Sequence, residues 1–115
     1  MTTRNPRTAA GVFDAESGEY ETVAASQTDQ VIGATGDLGD YLAALLVVPA
    51  STSPGAISIK DGSGGSSITV FTGGTASVSN LVPFSIPLGL LATGSGGWRV
   101  TTGASVSVIA IGNFT

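Results

Sequence analysis

The stretch AISIKDGSGGSSITVFT (residues 56–72) decides the fold class. Successive side chains of an extended chain point to opposite sides, so Ile57 and Ile59 share one face and Ser58 and Lys60 the other. Asp61 and Gly62 open a Gly/Ser turn over residues 61–66, and Asp-Gly between two alternating runs is a strong hairpin signal. Residues 67–72 are then the return strand, with Ile68 and Val70 expected to face inward.

The same period of two continues on both sides of this hairpin. Upstream, residues 21–25 and 28–33 are short strand candidates, and residues 34–40 (ATGDLGD) form a Gly/Asp loop. Tyr41–Val48 is the longest apolar run. It stops at Pro49 after eight residues, which is short for a helix, and Val47–Val48 favours a strand. Pro54 marks a turn over residues 51–55. Downstream, residues 73–80 are a polar connection, and residues 82–88 alternate through Phe84, Ile86 and Leu88. Pro83 and Pro87 cannot donate to a ladder, which sends this strand to a sheet edge. After the Gly/Ser loop at 90–97, Trp98 and Val100 share a face. Thr102–Gly103–Ala104 turns the chain into a last strand over residues 105–114.

About eight strands with turns every 8–12 residues predict an all-β fold, an antiparallel, jelly-roll-like β-sandwich. No amphipathic helix of three turns is present. Residues 1–20 sustain neither period and read as an extended N-terminal arm, which leaves residues 21–115 as the sandwich domain. The last strand carries Val106, Val108 and Ala110 on one face and Ile109 and Ile111 on the other. A two-layer sandwich buries one face of each strand. Apolar residues on both faces, here and at Leu45–Val48, therefore predict that another subunit covers the second side.

Composition points the same way. Only 10% of the residues are charged, against about 25% in typical soluble domains. Yet 42% are hydrophobic and 17 are Gly, so the exterior consists of Ser, Thr, Gly and backbone or is covered by other subunits. The charges are also segregated. Arg4 and Arg7 precede an acidic block (Asp14, Glu16, Glu19, Glu21, Asp29, Asp37, Asp40), and only Lys60, Asp61 and Arg99 follow. Nucleic-acid binding needs clustered Lys and Arg, and no such cluster exists. No apolar run reaches the 18 or so residues of a membrane span, and residues 1–10 lack the apolar core of a secretory leader.

Little chemistry is available. With no His and no Cys, the chain has neither the commonest general base nor a thiolate metal site. The Gly-rich runs lack the Lys-Ser/Thr of a phosphate loop. Asp37 and Asp40 are spaced to supply part of a hard-cation site, but Asp and Gly are equally ordinary turn residues. We therefore expect no catalytic residues, no metal and no cofactor. Trp98 offers a flat aromatic face of the kind that sugar sites use, although its shared parity with Val100 assigns it to the core. The candidate contact residues are Arg4, Arg7, Phe13 and Tyr20 in the arm and Ile109 and Ile111 on the last strand.

Three pieces, Gly39–Asp40–Tyr41–Leu42, Ile59–Lys60–Asp61–Gly62 and Gly97–Trp98–Arg99–Val100–Thr101–Thr102–Gly103, lie in a segment that resembles small tailed-bacteriophage virion proteins of the capsid decoration (cement) and head-fibre type. The resemblance covers about residues 21–115 and does not extend to the arm. It implies a β-sandwich, commonly a homotrimer, on the outer surface of the capsid at three-fold positions, with the major capsid protein as partner. The alternative it allows is a receptor- or glycan-binding module of a fibre or tail appendage. In that case the loops at 34–40 and 73–80, expected at one end of the sandwich, would form the site.

Overall fold

A computed structural model describes residues 19–115. Among these residues there are eight strands: β1 (Glu19–Val23), β2 (Gln30–Val31), β3 (Tyr41–Pro49), β4 (Ile57–Asp61), β5 (Ile68–Phe71), β6 (Phe84–Leu91), β7 (Trp98–Thr102) and β8 (Val106–Asn113). They form two four-stranded antiparallel sheets, in the orders β1-β8-β3-β6 and β2-β7-β4-β5. Of the seven connections only β4–β5 stays within a sheet, and all the others cross between sheets. This is the eight-stranded jelly-roll arrangement of a sandwich.

The core lies where the inward positions of both sheets meet. Leu45, Val47, Val108 and Ala110 from the first sheet and Ile57, Ile59 and Val100 from the second are all essentially inaccessible. Trp98 is also buried, and its indole N–H donates to the Asp40 carbonyl at 3.1 Å. A buried Trp needs such a partner for its single donor. The core reading of Trp98 therefore holds.

β6 is an edge strand, as Pro87 within it requires. Two features of the predicted hairpin differ from expectation. Ile68 stands opposite Ile59 in the ladder but is half exposed, because β5 is the other sheet's edge. Val70 is the extra residue where the register shifts between Ile57 and Ser58, so Phe71 lies opposite Ile57, and Val70 and Phe71 both pack against the core. Phe71 then meets Phe84 across the sandwich with ring centroids 5.5 Å apart, which joins the two edges.

A second irregularity sits in β3, where the register shifts between Leu42 and Ala44 and Ala43 becomes the extra residue. Opposite Leu42 is Gly112. A Cβ at Gly112 would run into the Tyr41 carbonyl oxygen, so glycine is what lets the strands close at this bulge.

Candidate interaction face

The outward positions of the first sheet align into rows across its strands. One row is Tyr20, Ile111, Ala44 and Pro87, and the next is Thr22, Ile109, Leu46 and Ser85. Their inward neighbours Val23, Leu45, Val47, Val108 and Ala110 are all in the core. No member of either row is charged. Tyr20 is 73% exposed and Ile111 38%, and both line a shallow groove of about 420 Å³ with Glu19 and Ile109. Val48 extends the apolar surface beyond the second row, opposite Ser107.

At the other end of these rows, Tyr41 stands between Asn113 and Leu91. Here the face runs into a cleft of about 540 Å³ walled by Leu38, Tyr41, Leu91 and Phe114. Leu38 and Leu91 are each more than half exposed. One side of the molecule is thus apolar from the groove at Tyr20 to the cleft at Leu38.

The opposite outer face is built differently. Its rows are Val31, Arg99 and Lys60, then Thr101, Ser58 and Thr69. Lys60 pairs with Asp29 at 3.3 Å, and the Thr101 hydroxyl donates to the other Asp29 oxygen at 3.2 Å. This side presents charges and hydroxyls to water.

Of the sequence candidates, Tyr20, Ile109 and Ile111 come together on the first sheet. Arg4, Arg7 and Phe13 lie outside the described residues. Tyr20 had been expected on the arm, but β1 opens at Glu19, and Tyr20 pairs directly with Ile111. Sequence reasoning missed Ala44, Leu46 and Pro87 as members of the same surface. Leu46 lies in the Leu45–Val48 run that predicted cover on both faces and Ala44 just before it, but their rows became visible only through strand pairing.

The acidic residues serve the loops. Glu21 accepts from the Gly33 amide and the Gln30 side chain, both at 2.8 Å, which stitches β1 to β2 across the open edge. Glu19 accepts from the Phe114 amide at 2.7 Å. Buried Asp40 takes the Asp37 amide at 3.0 Å and the Thr115 hydroxyl at 2.9 Å. Asp37 accepts from Leu38 N–H at 2.7 Å. The Asp37/Asp40 pair is therefore an interlocked turn, and no cluster of three or more metal-ligating side chains occurs among the described residues. Asp61 does more than open its hairpin. Its carboxylate accepts from the Thr93 amide and hydroxyl and from the Gly94 amide. The Thr93 hydroxyl, outweighing desolvation and aided by both amides, holds the Asp61 carboxyl below its ordinary value of 3.8.

The two loops expected to build one binding site lie at opposite ends of the sandwich. Residues 34–40 are tied to the chain end by Thr35 and Gly36 N–H bonds to Thr115, and to β6's exit by the Gly39 bond to Ala92. Residues 73–80 bond instead to Thr52, Ser53 and Pro54, at the far end of β3. The long strand β3 separates the two loops. With Trp98 buried as well, neither feature proposed for a glycan site is available in the form expected. No family model, curated protein or solved structure matches the chain.

Proposed function

We propose that this chain is a structural protein that works by assembly, and that it serves as a capsid decoration protein on the outer surface of a tailed-bacteriophage head. The observation that carries the assembly reading is the outer face of the β1-β8-β3-β6 sheet, whose two outward rows are uncharged, with Tyr20 exposed on the edge strand and Ile111 beside it. Large exposed apolar patches mark protein contacts. The low overall charge supports the same reading, since a chain with 10% charged residues is poorly equipped to live as a free monomer. The resemblance of residues 21–115 to phage virion proteins supplies the setting. Its partners are the major capsid protein and further copies of itself, for which the resemblance implies a trimer.

The role is structural rather than enzymatic. The carboxylates of Glu19, Glu21, Asp40 and Asp61 are each occupied by backbone or side-chain donors that hold loops in place. In that role, binding that favours the expanded shell would stabilise it by mass action. Arg4, Arg7 and Phe13 are contact candidates upstream of the sheet, and Tyr20, Ile109 and Ile111 on it.

Electron cryomicroscopy of purified virions tests this. Copies distributed over the whole outer shell are the expected result. A few copies confined to a vertex, tail or fibre overturn the decoration role and favour the receptor-binding alternative.

A further inference from the structure

We propose that the outer face of the β1-β8-β3-β6 sheet packs against the same face of a second copy of this chain. The inference rests on reading that face as the assembly surface, and it leaves the capsid contact to other parts of the molecule.

Charge selects the occupant. Burying an unpaired charge is costly, so an uncharged apolar face is best matched by another uncharged face. Among the described residues, the opposite outer face carries Arg99 and Lys60. At the β1 rim, Glu19 lines the groove with its carboxylate held by the Phe114 amide, and Glu21 is tied to Gly33 and Gln30. The two rows centred on Ile111 and Ile109 carry no charge at all. A second copy that presents the same face covers it without stranding a charge.

Area sets the strength. Strands of 5, 8, 9 and 8 residues, about 4.8 Å apart and rising about 3.4 Å per residue, give a footprint of roughly 500 Å² per copy. Two copies bury roughly 1,000 Å² together, at the lower limit for a specific contact. The pairing is thus reversible, with the faces stacked at the usual sheet spacing of about 10 Å. A self-matched contact has a two-fold axis, so it closes at two copies, in place of the three that the resemblance implies, and every substitution enters it twice.

The doubling makes a sharp test. Leu46 lies in the middle of β3, opposite Ile109 on one side and Ser85 on the other. Leu46→Glu places two carboxylates in one contact and should weaken pairing by about tenfold or more. Sedimentation of the full chain over roughly 1 μM to 1 mM should show a mass rising from one copy to two. Leu46→Glu should remain single over that range, and Ser58→Glu on the opposite face should behave as the parent.

A second measurement does not depend on Leu46→Glu folding. The chain has no Cys, so single thiols report cleanly. Thr22→Cys should be shielded from a thiol reagent at high concentration and released on dilution. Thr69→Cys, on the other outer face, should react at one rate throughout. A mass of one copy at all concentrations, a mass of three, or association that ignores Leu46→Glu overturns the inference. A monomer whose binding to virion heads is lost with Leu46→Glu overturns it while sustaining the decoration role. A two-copy species that never binds heads sustains it and overturns that role.

Discussion

The two outer faces of this sandwich come from the same alternation and differ in what alternates. On the second sheet the inward Ile57, Ile59, Val100 and Thr102 are interleaved with Ser58, Lys60, Arg99 and Thr101. That is the ordinary pattern of a sheet with one wet face. On the first sheet Leu45, Val47, Val108 and Ala110 are interleaved with Leu46, Val48, Ile109 and Ile111. The inner halves of both sheets make one core, while the outer halves meet different surroundings. A strand that is apolar on both faces inside a two-layer fold has a second face that, among the described residues, no third layer covers, and the proposed assembly role rests on this surplus.

The largest expected effect sets the two sides of one strand against each other. Leu45→Ala removes an inaccessible core side chain and should cost about 2–5 kcal/mol in denaturant unfolding. Leu46→Ala, one residue on but facing out, should cost well under half of that in the isolated chain while weakening assembly. Equal losses would mean that the outer face is packed within the chain, and the comparison would break. Gly112→Ala comes next. It presses a Cβ onto the Tyr41 carbonyl at the β3 bulge, and overpacking of this kind costs about 1–3 kcal/mol. An unchanged midpoint would show that the bulge yields without strain.

Acid should reach the wet side's loop ties before the apolar rows, which hold no titrating carboxyl. The Asp61 carboxyl is held below 3.8 in the folded chain, chiefly by the Thr93 hydroxyl. A depressed carboxyl adds stability that is present above its unfolded pKa and is lost as pH falls through the folded one. Stability should therefore drop below about pH 4, and Asp61→Asn should flatten that part of the profile in thermal scans from pH 2 to 7. A parent-like acid limb in Asp61→Asn would assign the drop to other carboxyls. The smallest effect belongs to the Lys60–Asp29 pair, whose Asp side chain is 39% exposed. Lys60→Ala should cost less than about 1 kcal/mol, and that loss should shrink further at high salt. A larger cost would make the wet face a structural element rather than a solvated one.

Much of the fold was legible because strand alternation is local. The eight strands, the edge position of β6 and the inward parity of Trp98 each followed from short patterns of apolar residues and from the missing proline N–H. The misreadings fell where local pattern is not the deciding term. Val70 reads as inward by alternation and does pack against the core, but alternation does not foresee the bulge that brings Phe71 to the core beside it. Ile68 keeps its parity and is still half exposed, because parity cannot say whether another strand lies opposite. Tyr20 reads as arm because polar Glu19, Glu21 and Thr22 around it leave no sustained apolar period. Pairing with β8 is what makes it a strand.

The sequence by itself determined the all-β class, the scarcity of charge and the two-sided apolarity of β3 and β8, since each depends only on residue type and a period of two. The tertiary structure decided which strands became neighbours. It set Tyr20, Ile111, Ala44 and Pro87 in one row from four distant parts of the chain, and it sent the loops at 34–40 and 73–80 to opposite ends. The reason is that ladder pairing acts between residues far apart in sequence, so a face shared by several strands exists only once their order and register are set.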